Sequence, residues 1–153
     1  MKVIKNATEL ASTKEYNLGC PLSADIFVRN LADKYQAYIQ RSYVRCPAFA
    51  AHVFGPVNDS FRLYYTDLSA IDYEMFACAS GEDESKMTTF LEKHYKRGLP
   101  EADLIRIGIS ALLQSVGREA EHTEISVTVL GKNGTRVLDG PEIDKHLQDI
   151  AEN

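Results

Sequence analysis

The 153-residue sequence lacks the features that mark several classes of protein. No apolar run approaches the roughly 20 residues that a membrane-spanning helix needs, and the lysines at the start are not followed by the apolar stretch of a signal peptide. Basic residues are not in excess, since the net charge is −5 and the pI is about 5.4. Nucleic acids and anionic membranes are bound through basic patches, so neither is expected as a partner.

Cysteine is also sparse. The three cysteines, Cys20, Cys46 and Cys78, are far apart and form no Cys-x-x-Cys pair. An odd, low count of this kind indicates free thiols in a reducing compartment. A nucleophilic pair of Cys46 with His52 would need side chains six positions apart in a predicted strand to touch. Free cysteines in such positions are usually small core residues, which is the interpretation favoured here.

Residues that bind metals or transfer protons are not clustered. The four histidines are His52, His94, His122 and His146, and none belongs to a His-Glu-x-x-His pattern. The densest ionisable group, EAEHTE at 119–124, places three glutamates around His122 and is interpreted as a solvated turn. The acids at 82–84 form the first turn of a helix, and GKNG at 131–134 is a hairpin turn because it precedes a strand. No catalytic, cofactor-binding or metal-binding residue is therefore predicted.

Hydrophobic periodicity predicts one α+β domain over residues 1–153, with the element order α–α–βββ–αα–ββ–α. The predicted helices cover 2–14, 23–41, 82–98, 100–117 and 141–150, and the predicted strands cover 42–55, 61–66, 73–80 and a hairpin over 123–138. The three strands after the second helix are expected to form an antiparallel meander. Ser23 is the predicted N-cap of the second helix, and Gly98 is the predicted end of the third.

The spacing of apolar residues also predicts which faces are buried. The stripe of helix 23–41 consists of Val28, Leu31, Ala32, Tyr35, Tyr38 and Ile39. The seam of helix 100–117 consists of Leu104, Ile107, Gly108, Ala111, Leu112 and Ser115, and Gly117 ends that helix. Ile125, Val127 and Val129 are predicted to point inward from the last hairpin.

Several segments resemble proteasome alpha-type subunits. LYYTDLSAIDYEMFACASG at 63–81 is similar to a strand that enters an Asp-Pro-Ser-Gly turn, followed by a strand that ends in a small-residue–Gly bend. TFLEKHYKRGLPEADLIRIGISALLQS at 89–115 resembles the Phe-Leu-Glu-Lys-x-Tyr helix and the amphipathic helix after it. Residues 15–45 and 122–150 resemble the preceding segment and the final strands and helix. The helix at 89–95 and the tail RVLDGPEIDKHLQDIA favour the type-2 subunit.

The resemblance implies an Ntn-hydrolase-like four-layer αββα sandwich, of which this chain would be the C-terminal half, incomplete at the N-terminal side. Alpha-type subunits form heptameric outer rings on the catalytic beta rings and are not peptidases. The implied function is that of a non-catalytic structural subunit of the 20S core particle, in ubiquitin-dependent protein degradation. The implied partners are other alpha and beta subunits, the implied location is the cytoplasm and nucleus, and no cofactor is implied.

The chain departs from the family pattern at three places. The turn reads Asp67-Leu68-Ser69-Ala70, without the family's proline and glycine, and Asp67 and Ser69 are expected to hold it by side-chain hydrogen bonds. The family's Arg-Pro-Phe-Gly becomes RCPAF at 45–49, which implies a bulge or a shifted register. The chain opens where family members are about half complete, so early strands and the gating tail are expected to be absent.

The expected consequences concern both assembly and catalysis. A sheet without its neighbours would have unpaired edges and an exposed apolar face, and an isolated chain would be expected to pair, for example as a swapped homodimer. Catalysis in this family needs an N-terminal nucleophile, whereas here Met1 is followed by Lys2 and no threonine lies at a recognisable processing site.

Two other functional classes stay open at this point. One is a free-standing α+β binding or assembly module derived from such a subunit, which would not join a large assembly. The other is an enzyme that uses Cys46 or the group around His122, whose activity would be lost on Cys46→Ala or His122→Ala.

Overall fold

The computed structural model describes residues 2–45, 47–116 and 120–152. These residues form five helices and five strands in the predicted order. The helices are α1 (Lys2–Leu18), α2 (Ala24–Ile39), α3 (Glu84–His94), α4 (Glu101–Val116) and α5 (Gly140–Ala151), and the strands are β1 (Ala50–Val57), β2 (Ser60–Asp67), β3 (Asp72–Met75), β4 (Thr128–Gly131) and β5 (Gly134–Val137). The chain divides into two compact units, Met1–Phe76 and Ala77–Asn153. Compact units can belong to one cooperative domain, so the single domain stays a prediction.

The first unit is an antiparallel sheet in the order β1-β2-β3, which confirms the predicted meander. Helix α2 covers one face of this sheet. Its buried residues are Ala24, Val28, Leu31, Ala32 and Tyr35, which confirms the middle of the predicted stripe, whereas Tyr38 is half-buried and Ile39 is exposed. Ala24 and Val28 pack on Tyr64 of β2. Gly55 of β1 lies so close to Ala24 that an added Cβ would be 3.1 Å from the alanine methyl group.

The start of α2 and the end of α1 follow the predicted signals with small differences. Ser23 has an extended backbone and is the N-cap of α2, but its side chain makes no capping hydrogen bond to the helix. Helix α1 runs to Leu18, four residues further than predicted. It ends at Gly19, whose φ of 68° is the left-handed conformation that closes many helices.

The first strand differs most from its prediction. It begins at Ala50 and not at 42, and it continues through Pro56 instead of ending at Gly55. Proline is tolerated there because β1 is an edge strand of the sheet and has a ladder on one side only. Residue 46 lies outside the described residues, and residues 47–49 lie in no strand, so the bulge or register shift predicted for 45–49 stays a prediction.

The turn between β2 and β3 has the side-chain hydrogen bond that was predicted. The Ser69 amide donates to Asp67 Oδ1 at 2.8 Å, and the Ala70 amide donates to the Asp67 carbonyl at 3.1 Å. Ala70 has a φ of 58°, the left-handed conformation that glycine adopts more readily. Strand β3 ends at Met75, so the predicted strand over 73–80 was too long.

The second unit packs α4, α5 and the β4–β5 hairpin around one core. The core residues are Ile105, Ile109, Leu113, Ile125, Leu138 and Ile143. The predicted seam of α4 is confirmed at Ala111, which is buried, and at Leu112, which packs against this core. It is wrong elsewhere, because Ile105, Ile109 and Leu113 are buried while Leu104 is exposed. The predicted end of α4 at Gly117 lies outside the described residues.

The remaining elements of this unit differ from their predictions mainly in length. Helix α3 stops at His94, four residues before Gly98. Ile125 is buried and Val127 and Val129 pack against the core, as predicted, but the hairpin begins at Thr128 and not at 123, so Ile125 and Val127 precede it. Helix α5 begins with a capping box, in which Asp139 and Glu142 each accept a hydrogen bond from the other's backbone amide.

Candidate functional site

Of the residues around His122, the structure pairs the histidine with an acid that the sequence analysis did not include. His122 Nδ1 lies 2.9 Å from Asp144 Oδ1 on α5, and both side chains are partly exposed. The ring lies against the start of that helix, since an added Cβ on Gly140 would be 2.9 Å from His122 Cδ2. The side chain of Glu124 accepts from the Glu121 amide at 3.2 Å. This arrangement joins a turn to α5, and Glu119, the third predicted acid, lies outside the described residues.

Of the other pair considered from the sequence, His52 is described and Cys46 is not. His52 is exposed on β1, with its ring 5.6 Å from that of Tyr65, and Cys46 lies outside the described residues. Burial raises the pKa of the Cys78 thiol, which disfavours the reactive thiolate. Lys132 and Asn133 form the turn between β4 and β5, as predicted for GKNG.

Metal ligands and membrane spans were searched for over the same residues. Within 2–45, 47–116 and 120–152, no three side chains of the metal-binding types come together. In that part of the chain no helix combines the length and the apolar character needed to cross a bilayer.

An unusual surface lies on the sheet of the first unit, on the side opposite α2. We name it the open sheet face, and it consists of Phe54, Phe61, Leu63, Tyr65, Tyr73 and Met75. Register puts these residues on one side, since Leu63 lies opposite both Phe54 and Met75. Phe54 is 50% exposed and Tyr73 is 48% exposed. Contiguous apolar patches of this kind mark interaction surfaces in soluble proteins.

The opposite face of the same sheet is covered by α2. Tyr64 and Thr66 are buried beneath α2, and burial raises the pKa of the Tyr64 hydroxyl. At the margin of this face, the Arg62 guanidinium pairs with the Glu74 carboxylate across two strands. The sheet therefore has one face with a completed apolar core and one apolar face exposed to water.

Sequence reasoning predicted that an apolar face would be exposed but did not identify its residues. Strand β2 alternates Phe61, Leu63 and Tyr65 with Arg62, Tyr64 and Thr66. Both sets contain apolar or aromatic residues, so alternation alone could not decide which set faces the helix. The glycine at position 55 was a usable signal, because close helix packing requires a small residue on the covered face.

Comparison with known proteins gives consistent results. The sequence profile described as "Proteasome subunit" matches residues 1–130. A probable proteasome subunit alpha type-1 from Schizosaccharomyces pombe is 30% identical, over 97% of this chain and 63% of its own length. The proteasome subunit alpha of Methanopyrus kandleri is 26% identical, over 97% of this chain and 61% of its own length. A proteasome subunit alpha type-7-B from Oryza sativa subsp. japonica is 32% identical, over 84% of this chain and 52% of its own length.

The matches define both the family and the extent of the similarity. The chain spans between about half and about five-eighths of the length of these relatives. The relatives carry different alpha-type numbers, so the type-2 assignment stays a prediction. The family profile covers most of the chain, and each of these relatives is named as an alpha subunit. This chain therefore belongs to the proteasome subunit family, and its relatives are the alpha-type subunits.

Proposed function

We propose that this chain is a structural, non-catalytic component of the alpha ring of the proteasome core particle. Its partners are other alpha and beta subunits, and its role is in ubiquitin-dependent protein degradation in the cytoplasm and nucleus. The observation that carries the proposal is the open sheet face, in a chain whose relatives are named proteasome alpha subunits. A ring subunit works through surfaces that are buried on assembly, and such surfaces are apolar.

The proposal includes the Ntn-hydrolase-like αββα sandwich. In a sandwich, two sheets pack face to face about 10 Å apart, and helices cover the two outer faces. The first unit supplies one helical layer and one sheet, since α2 covers the face that carries Tyr64. The open sheet face is the surface on which the second sheet would lie. Its aromatic and aliphatic side chains are of the type that interdigitate between packed sheets.

The absence of catalysis is proposed on two grounds. The relatives are named as alpha subunits, and the resemblance to alpha-type subunits implies that the chain is not a peptidase. The ionisable side chains that are paired in the described residues form simple ion pairs, such as Arg136 with Glu101 and Glu142 at 2.9 and 2.8 Å. Pairs of this kind join elements together and contain no nucleophile.

Native mass spectrometry of the tagged chain, isolated from its own cells, tests the proposal. We expect a very large assembly that contains other alpha and beta subunits. A monomer or homodimer as the only species would contradict ring membership and favour a free-standing binding or assembly module. The mass of the chain within the assembly would also show its native length.

A further inference from the structure

A second surface, separate from the open sheet face, lies wholly within the second unit. Helix α4 packs against both α3 and α5, and a groove of about 460 Å³ lies where the three helices meet. Its apolar lining comes from Phe90 of α3, Leu113 of α4, Ala120, and Leu147, Ile150 and Ala151 of α5. A groove between helices, lined by apolar side chains, has the geometry in which amphipathic helices are bound.

The α3 side of this groove is basic. A shallow surface of about 460 Å³ shares Phe90 and Gln114 with the groove and is also lined by Lys86, Lys93 and His94. Lys86 is paired with Asp83 at 2.8 Å. Lys93 is exposed and has no salt-bridge partner among the described residues. The basic character is local, because the whole chain has a net charge of −5.

The aromatic part of this side is held in a fixed arrangement. The rings of Phe90 and His94 stack with their centroids 4.0 Å apart and their planes 20° apart. His94 Nδ1 lies 2.8 Å from the Phe90 carbonyl oxygen, which orients the imidazole. The two stacked rings therefore lie between the ammonium group of Lys93 and the groove. A ligand that contacts both rings would place its charged groups on the Lys93 side and its apolar groups in the groove.

Among the described residues, the lining of the groove itself carries no charge. Ser110 and Gln114 of α4 lie among the apolar residues that line it. The groove is thus mixed apolar and polar, with its cationic groups along α3. A bound helix with acidic residues on one flank would be favoured with that flank along α3.

We infer that this groove binds an amphipathic helix of a partner protein, whose apolar stripe is flanked by acidic residues on the side that faces α3. The apolar stripe would fill the space between Phe90, Leu113 and Leu147, and the acidic flank would pair with Lys93. Because the groove lies within residues 77–153, this binding does not depend on ring membership.

A designed peptide provides the probe. It is a fluorescein-labelled helix of about 15 residues with leucines at helical spacing, glutamates on one flank of the leucine stripe and glutamines elsewhere. Fluorescence polarisation with the full chain is expected to show saturable binding. Lys93→Glu is expected to weaken that binding by about tenfold or more, since it replaces attraction by repulsion. Lys132→Glu is the matched control, because Lys132 is an exposed lysine of the same unit in the β4–β5 turn, and binding should change less than about twofold.

Two control ligands make the inference falsifiable. A peptide with its leucines replaced by serines should not bind, and a peptide with its glutamates replaced by lysines should bind at least about tenfold more weakly. Equal binding of the serine peptide, or of a single-stranded oligonucleotide, would overturn the inference in favour of unspecific attraction of anions to α3. Absence of saturation, or equal effects of Lys93→Glu and Lys132→Glu, would also overturn it. Circular dichroism of both variants confirms that the exposed substitutions leave the fold intact.

Discussion

At the scale of single residues, the clearest determinant of the first unit is Leu31 on α2. It is 1% exposed and is one of the buried residues of this helix. Leu31→Ala removes buried methyl groups and leaves a cavity, so the free energy of unfolding should fall by about 2–5 kcal/mol. Urea unfolding followed by circular dichroism measures this change.

The control for that substitution is on the same helix. Ile26 is 45% exposed, so Ile26→Ala removes little buried surface and should lower the free energy of unfolding by less than about 1 kcal/mol. Equal losses for Leu31→Ala and Ile26→Ala would contradict the packing of α2 described above.

The contribution of Asp67 to the stability of the fold depends on pH. Hydrogen bonds from the Ser69 side chain and amide lower the pKa of this carboxyl below its ordinary value. The unfolded chain therefore binds the proton first as the pH falls below about 3.9. The stabilisation is present above that pH and is lost as the pH falls through the lower pKa of the folded state. Asp67→Asn, which cannot titrate, should consequently show a smaller fall in melting temperature between pH 5 and pH 2 than the unmodified chain.

The comparison needs a matched carboxylate, because every acid contributes to the general loss of stability at low pH. Asp59 lies in the preceding turn, is exposed, and accepts no hydrogen bond from the described residues. Asp59→Asn makes the same replacement of a carboxylate by an amide in a neighbouring turn, and it serves as the control. If both variants changed the melting curve alike, the hydrogen bonds to Asp67 would not be the source of the effect.

At the scale of elements, the order of helices and strands was predictable because each has a distinct period and clear boundaries. Helix α5 shows this well, since Pro141 marks its start and Ile143 and Leu147 lie on one face among polar residues. Helix α4 shows the limit, because its sequence is apolar on more than one side. The pattern there permitted a seam through Leu104, whereas packing in the second unit buries Ile105 and Ile109.

Strand ends were harder to predict because they depend on tertiary position. Gly55-Pro56 is a strong turn signal in sequence, yet both residues lie within β1. The proline is accepted because that strand is at an edge, and the glycine is needed for the approach of Ala24. Neither fact can be read from the sequence without knowing which strands are neighbours.

The open sheet face supports a prediction about the role of the β1-β2-β3 sheet in assembly. Phe54→Thr combined with Tyr73→Thr removes aromatic surface but keeps a β-branched residue in each strand. Because both side chains are about half exposed, the melting temperature of the isolated chain should change little. If the sheet is covered in the assembly, the double variant should be depleted from the high-mass complex by about tenfold, as measured by native mass spectrometry.

Tyr43 supplies the control for the two substitutions on the open sheet face. It belongs to the same unit, is 83% exposed and precedes the sheet. Tyr43→Thr removes a similar aromatic surface outside the open sheet face, so incorporation should be unchanged. Depletion of both variants to the same extent would show that aromatic surface in general, and not this face, determines assembly.

At the scale of the whole molecule, the question is whether the two compact units unfold together. The buried hydrophobic residues of the first unit are Ala24, Val28, Leu31, Ala32, Tyr35 and Tyr64, two of them alanines. Such a core is small, and short chains bury too small a share of their surface to be stable alone. We therefore expect one cooperative domain, as the sequence predicts. A substitution that destabilises one unit should then lower the free energy of unfolding of the other unit as well.

Hydrogen–deuterium exchange separates the two cases. In a single cooperative domain, Leu31→Ala should raise the exchange of the slowest amides of α4 by roughly 30-fold for each 2 kcal/mol of lost stability. The reciprocal variant, Ile109→Ala, alters the core of the second unit, where Ile109 is 2% exposed, and should raise exchange in α2 in the same way. If each substitution changed exchange only in its own unit, the chain would contain two domains. The open sheet face would then belong to a unit that folds without the other.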